Sequence, residues 1–265
     1  MSIEVAKSAG FCFGVDRAVQ MVYQLLDEGK KVYTLGPIIH NPQMIAELEA
    51  RGVEIIETVE HAPKDGTIVI RAHGVPQETM DSIARQHAVC SDATCPFVEK
   101  IHRIVQKAER EGRRCLIIGT PEHPEVRAIA SFCTGPFVLQ SAEELQKWLD
   151  FDGTRRDLPL TMVCQTTETQ KNWDSCREIA KKICTNLEIF DTICRATEMR
   201  QEEAIRLSRK CDAMVVVGDA SSANTGRLSM ICKQHCRTVT LVDHAGDLDL
   251  GLFSGAATIG ITAGA

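Results

Sequence analysis

Apolar residues recur along this chain in two alternating rhythms, and the alternation itself repeats. After residue 12, Val19, Val22, Leu25 and Leu26 keep the spacing of one helical face until Gly29 stops the run. After residue 95 the face is Val98, Ile101, Ile104, Val105 and Ala108, with Pro96 suited to a first helical turn and Gly112 past the end. After residue 194, Met199, Ala204, Ile205 and Leu207 follow more loosely. Each helix leads into a short apolar strand that ends in glycine: Val32–Gly36, Cys115–Gly119 and Ala213–Gly218. A second strand follows in each case (Val53–Ile56, Phe137–Leu139, Thr238–Val242). A third then closes on small or polar residues (Val69–Gly74, Met162–Thr167, Ile259–Gly264). Short apolar strands alternating with helices predict parallel α/β units.

The register of the repeat is close. Cys12 ends Ser8-Ala9-Gly10-Phe11-Cys12, Cys95 ends Asp92-Ala93-Thr94-Cys95, and Cys194 ends Asp191-Thr192-Ile193-Cys194. Each lies 24 residues before the glycine of its first strand: Gly36, Gly119 and Gly218. Four residues past each glycine stands a polar group, His40, His123 or Ser222. Three related α/β units are therefore expected: 14–96, 97–193, and a third made of 1–13 plus 194–265. Ligands of open parallel sheets bind beyond the carboxyl ends of the strands, which is where these residues fall. Three units with equivalent ends around one centre would bring the three cysteines together.

Composition narrows the choices. The 265 residues carry 30 Lys and Arg against 36 Asp and Glu, a formal charge of −6, with 44% apolar and 25% charged residues. That is the balance of a folded globular protein. An acidic chain argues against a nucleic-acid binder that gains affinity from phosphate neutralisation, yet allows an anionic small molecule at a locally positive site. Aliphatic stretches such as Met214–Val217 and Leu116–Ile118 fall far short of the ~20 residues of a membrane helix. Met1-Ser2-Ile3-Glu4-Val5 lacks the basic and apolar regions of a secretory signal, so a cytoplasmic protein is expected.

Twelve cysteines in such a chain do not read as a disulfide framework. No C-x-x-C occurs, against thioredoxin-like chemistry and zinc ribbons. Cys115 and Cys164, inside apolar runs, read as small buried hydrophobes. Cys12, Cys95 and Cys194 differ, because a thiolate at a helix N-terminus is favoured by the helix dipole. Three of them suit a centre that keeps one position open. Zinc on three cysteines usually wants a histidine to close a structural site. An iron–sulfur cluster would leave one iron without a protein ligand, available as a Lewis acid. On spacing alone a cluster, zinc and no metal all stay open. Gly10 and Gly14 would let the backbone approach a bulky group.

The strand-end residues describe a ligand. His40, His73, His123 and the run Ser221-Ser222-Ala223-Asn224-Thr225 offer imidazoles, hydroxyls and an amide, a cradle for an anion that needs no lysine. Glu125, two residues from His123, is a candidate proton donor if burial favours its neutral form. One such histidine is more often structural than catalytic, but three at equivalent ends point to a site. His61, His87, His102, His235 and His244 have no such placement and read as surface or core residues.

Nine motifs in order carry a resemblance: Gly10–Val15, His40-Asn41, Ala72-His73-Gly74-Val75, Asp92–Pro96, His123-Pro124-Glu125-Val126, Gln165-Thr166-Thr167, Asp191–Cys194, Ser222–Asn224 and Thr262–Ala265. Together they resemble the 4-hydroxy-3-methylbut-2-enyl diphosphate reductase (IspH/LytB) family over nearly the whole chain. The resemblance implies a trefoil of three α/β domains, with mainly parallel sheets, around a 4Fe–4S cluster bound by Cys12, Cys95 and Cys194. It implies reductive removal of the 4-hydroxyl of an allylic diphosphate, the last step of the methylerythritol phosphate route, giving isopentenyl and dimethylallyl diphosphates. Electrons would arrive singly from ferredoxin or flavodoxin. By similarity His40, His73, Ser222 and Asn224 hold the diphosphate. His123, Thr166 and Glu125 surround the hydroxyl, with Glu125 in the proton path.

Two departures stand out. Ala223 occupies a position where the family often has a second serine, and either Ser221 or Ser222 could supply the remaining hydroxyl. The family also continues past Thr-Ala-Gly-Ala with a diphosphate-binding serine and a closing helix, whereas the sequence ends at Ala265. The expectation is a chain that folds and holds a cluster but turns over poorly. The competing class is a non-catalytic iron–sulfur sensing or binding module on the same scaffold, against which the intact Glu125, His123, Thr166 and three cysteines weigh.

Overall fold

A computed structural model describes residues 1–86 and 89–264; His87 and Ala265, both named above, lie outside them. The chain opens with β1 (Ser2–Val5) and α1 (Phe13–Asp27). Then come β2 (Val32–Leu35), α2 (Pro42–Ala50), β3 (Glu54–Ile56), β4 (Thr67–Ile70), α3 (Gln77–Gln86) and β5 (Cys90–Asp92). After α4 (Pro96–Arg110) follow β6 (Arg114–Ile118), α5 (Pro124–Ser131), β7 (Phe137–Leu139), α6 (Ala142–Phe151), β8 (Leu160–Cys164), α7 (Gln170–Ile183) and β9 (Leu187–Ile189). The last stretch holds α8 (Arg195–Lys210), β10 (Ala213–Val217), α9 (Ala223–His235), β11 (Thr238–Val242) and β12 (Thr258–Ala263).

The strands form three four-stranded sheets, ordered β3-β2-β4-β5, β7-β6-β8-β9 and β11-β10-β12-β1, with every pair parallel. The order is the same each time: second, first, third, fourth. The last sheet takes its fourth strand from the start of the chain, pairing Ser2 with Thr258 through Val5 with Ile261.

The sequence pattern predicts three strands per unit, and the structure has four. The extra strands, β1, β5 and β9, are three or four residues long and sit at a sheet edge, mostly exposed or half-buried. An edge strand needs no continuous apolar run, and these three are short and interrupted by Ser2, Glu4, Ser91, Asp92 and Glu188, so periodicity passes over them while it finds the more apolar edge strands β7 and β11. Each of these strands leads directly to one of the three repeat cysteines.

The chain gathers into two compact bodies. One comprises Met1–Asp16, Ile39–Glu47 and the chain from Cys194 onward. Its sheet is covered on both faces, as alternation along β10 requires. Met214 and Val216 pack with Ala204, Leu207, Leu228 and Ile231, while Ala213 and Val215 pack with Val242, Phe253 and Ile259. The other comprises Arg17–Ile38 and Leu48–Ile193 and contains the remaining two sheets. Along β6, Leu116 and Ile118 face Leu145, Leu149, Trp173 and Ala180, whereas Cys115 and Ile117 face Ile101, Val105, Val126 and Ile129. Cys115 and Cys164 are buried, as their apolar surroundings predict. Among the described residues no helix is long and apolar enough to cross a membrane.

Candidate functional site

The glycine of the repeat has the same task in each sheet. Gly36, Gly119 and Gly218 donate their N–H to the last residue of the neighbouring strand, Ile56, Leu139 and Val242, at 2.9 Å in all three. A side chain at any of them would collide with a residue of a strand-end loop or of the helix that follows. The Cβ position lies 2.7 Å from Arg71 at Gly36, 2.9 Å from Gln165 and Val126 at Gly119, and 2.8 Å from Thr225 at Gly218. Just beyond each glycine the chain turns into the helix that starts near His40, His123 or Ser222.

In the larger body, His123 caps α5: its Nδ1 accepts the Glu125 N–H at 3.1 Å. The neutral ring therefore carries its hydrogen on Nε2. Glu125 is buried, and its two carboxylate oxygens accept the Thr166 N–H (2.6 Å) and the Thr166 hydroxyl (2.7 Å). Thr166 follows β8, so the ends of the first and third strands of this sheet meet in one hydrogen-bonded acid. His73 follows β4, and its ring meets that of His123 edge-on at 5.3 Å between centroids. Gly74 turns the chain after His73 at a φ of 74°, and a Cβ there would lie 2.9 Å from the His102 ring. His102 itself is core: it stacks on Phe132 at 4.4 Å, and burial, against a weaker pull from Asp92, pushes it down to about 4. Cys95 caps α4 ahead of Pro96, and its N–H donates to the Ala72 carbonyl (2.9 Å), next to His73.

In the other body, Cys12 precedes α1 and its carbonyl accepts the Asp16 N–H (2.9 Å). Cys194 caps α8 through sulfur: Sγ accepts the Thr197 N–H at 3.4 Å and lies 3.1 Å from the Thr197 hydroxyl. His40 is followed by Asn41, whose side chain accepts the Met44 N–H (2.8 Å) at the start of α2. Ser222 is the buried serine and caps α9 by accepting the Thr225 N–H (3.4 Å), while Ser221 is exposed. Ala223 begins the helix behind that cap. Asn224 Nδ2 and Thr262 Oγ1 are buried polar atoms with no hydrogen-bond partner among the described residues. A buried polar group of this kind is costly to leave without a partner.

The donor set fits an iron–sulfur group. Cys12, Cys95 and Cys194 are half-buried and stand at helix starts. Burial instead pushes the Cys164 and Cys176 thiols up to about 12, which keeps them protonated and inert. His61, His235 and His244 are exposed.

Sequence reasoning passed over three residues that hold the cysteine loops. Arg200 donates to the Ser8 (3.0 Å) and Gly10 (2.6 Å) carbonyls, ahead of Cys12. Glu203 accepts the Ser8 N–H (2.8 Å) and hydroxyl (2.6 Å). Arg17 donates to the Thr94 (3.1 Å) and Asp92 (3.3 Å) carbonyls, ahead of Cys95. A signal did exist: Arg17 lies five residues past Cys12 and Arg200 six past Cys194.

The family profile described as "LytB protein" matches residues 3–265. A 4-hydroxy-3-methylbut-2-enyl diphosphate reductase of Caldanaerobacter subterraneus subsp. tengcongensis is 37% identical over 270 residues, covering 100% of this chain and 92% of that protein. A protein of the same name from Geotalea uraniireducens is 38% identical with the same coverage. Among solved structures, one of (E)-4-hydroxy-3-methyl-but-2-enyl diphosphate reductase, described as the terminal enzyme of the non-mevalonate pathway, is similar with a TM-score of 0.70 and 33% identity, covering 100% of this chain and 94% of that one. The E-1-hydroxy-2-methyl-but-2-enyl-4-diphosphate reductase of Plasmodium falciparum is similar with a TM-score of 0.91 and 26% identity, covering 99% and 82%.

Proposed function

This chain belongs to the LytB protein family, and from that premise we propose that it is a 4-hydroxy-3-methylbut-2-enyl diphosphate reductase. The reaction replaces the allylic 4-hydroxyl of the substrate with hydrogen: two electrons and two protons enter, water leaves, and isopentenyl and dimethylallyl diphosphates form. The observation that carries the reading is the threefold placement of cysteine, one after the fourth strand of each sheet and at the start of the next helix. In this reading Cys12, Cys95 and Cys194 hold a 4Fe–4S cluster, which supplies the electrons and a Lewis-acidic iron when bound.

The chain's own residues supply the rest. His40, His73, Ser222 and Asn224 bind the diphosphate; the buried, unsatisfied Asn224 amide supports this. His123, with its Nε2–H as donor, and the Thr166 hydroxyl orient the alcohol end. Glu125 delivers a proton through Thr166, whose hydroxyl is already its hydrogen-bond partner (2.7 Å). Burial of Glu125 and Thr166 keeps bulk water from competing for that transfer. Ferredoxin or flavodoxin would deliver electrons one at a time in the cytoplasm. Each sheet with its helices is one repeat, bounded at 14–96, 97–193, and 1–13 with 194–265.

The test is iron and acid-labile sulfide per chain after strictly anaerobic purification, in the parent and in Cys12→Ser, Cys95→Ser and Cys194→Ser. About four of each in the parent, lost in all three variants, is the result expected for one cluster on three thiolates. Iron indifferent to those cysteines would break the link from repeat to cluster.

A further inference from the structure

We propose that Arg200 and Arg17 are positioning residues of the cluster site, each setting the main chain in front of a cluster cysteine, Arg200 for Cys12 and Arg17 for Cys95. The inference rests on the three-cysteine reading above. Both arginines stand in the second turn of a helix that follows a cysteine: Arg17 after Cys12, Arg200 after Cys194. Each guanidinium spans two carbonyls, two residues apart, in the segment just ahead of another cysteine. The same device thus occurs in both compact bodies, built from different helices.

Arg200 is the stricter case. Its residue is only 4% exposed, and a buried guanidinium normally demands an anionic partner. Among the described residues no carboxylate lies within ion-pair distance of it; its acceptors are the Ser8 and Gly10 carbonyls. Gly10 turns its carbonyl to Arg200 at a φ of 106°, a conformation that side-chain-bearing residues rarely adopt. Glu203, one helical turn on, fastens the same loop by accepting from Ser8 twice. Burial works against its carboxylate, but the bonds from Ser8, the Lys7 backbone and Arg206 outweigh it and bring it down to about 2. The loop before Cys12 is therefore held at both its carbonyls and its N–H.

Two consequences follow for a bound cluster. A carbonyl pointing at an anionic cluster repels it, and a guanidinium that turns carbonyls toward itself removes that repulsion. Its unneutralised charge also favours the more negative, reduced cluster, since nearby charge and hydrogen bonds set such potentials. Lysine would keep the charge but not the two-pronged grip.

The experiment uses the anaerobically reconstituted full chain as parent, Arg200→Gln, Arg200→Lys, Arg17→Gln and Cys12→Ser. The readouts are iron and sulfide content, far-ultraviolet circular dichroism, the rate at which a chelator strips the cluster, and the midpoint potential. The two glutamine variants are expected to fold and load iron like the parent, to lose it on the order of ten-fold faster, as the loss of a charge-assisted hydrogen bond implies, and to titrate at a more negative potential. Arg200→Lys should strip fast but keep most of the potential. Stripping within about two-fold of the parent, at an unchanged potential, would overturn the proposal. If Arg200→Gln does not fold, Arg200→Lys and Arg17→Gln decide by the same thresholds. Iron retained in Cys12→Ser would instead sink the cluster reading itself, so the two failures are distinct.

Discussion

Glu125→Gln separates the proton-delivery role from every structural role of this side chain. The carboxylate accepts the Thr166 N–H at 2.6 Å and the Thr166 hydroxyl at 2.7 Å, in a site where both residues are buried. Glutamine can keep both contacts. Its carbonyl oxygen accepts the N–H, and its amide donates to the Thr166 oxygen, whose hydrogen rotates away. What is lost is the extra strength of a charged acceptor, about 1 kcal/mol, and burying a neutral amide in place of a charge offsets part of that. At ~2–4 °C per kcal/mol for a chain of this size, the melting temperature should move by a few degrees at most. Turnover should respond on another scale, because an amide has no proton to give: removing a positioned acid costs about 10²–10⁴ in rate. The assay is anaerobic turnover with a chemical reductant, alongside iron content and substrate affinity, both of which should match the parent. Turnover within a few fold of the parent, with the cluster loaded, would refute the proton-donor role.

Three further outcomes are expected. His102, held near 4 in the fold against ~6.5 when unfolded, takes up a proton only on unfolding between those values. It therefore makes stability fall as pH drops from about 6.5 to about 4, by roughly 3 kcal/mol in all, of which about 2 kcal/mol is lost between pH 7.5 and 5; urea titrations at those two values should show that part in the parent and much less of it in His102→Leu. Ser222→Ala removes the cap that accepts the Thr225 N–H, costing about 1 kcal/mol, and with it a diphosphate donor; steady-state kinetics should show KM rising several-fold more than kcat falls. Gly119→Ala drives a Cβ to 2.9 Å from Gln165 and Val126, both fully buried. Overpacking of about 1–3 kcal/mol should lower the thermal midpoint clearly, and an unchanged melt would show that the loop yields.

How far the sequence reveals the protein depends on what each residue does. The helical faces after the three cysteines are legible because burial against a sheet demands them, as Ile101, Val105 and Ala108 illustrate. The repeated glycine is legible because the same hydrogen bond and the same crowding recur at Gly36, Gly119 and Gly218. The pair Glu125 and Thr166 lies 41 residues apart, so spacing alone could mark both as strand-end residues but not join them; the family resemblance did that. Strands β1, β5 and β9 escaped notice because they are short and carry Ser2, Glu4, Ser91, Asp92 and Glu188 in place of an apolar run. Arg17 and Arg200 escaped because their acceptors are main-chain carbonyls, which leaves their placement five and six residues past a cysteine as the one signal. Local geometry alone separates Ser222 from Ser221: one caps a helix, the other faces outward.

The pairing of β1 with β12 has a consequence for how the protein is made. Ser2 pairs with Thr258, which the ribosome adds 256 residues later. At ~5–20 residues per second, β1 waits on the order of 10–50 s for its neighbour. The strands of the other two sheets all lie between Val32 and Ile189, so those sheets can form while synthesis continues. Cys12 and the Ser8–Gly10 loop, which need both β12 and α8 to hold them, stay unanchored until β12 has been made. Of the three repeat cysteines, the one that comes first in the chain is thereby the last to be fixed.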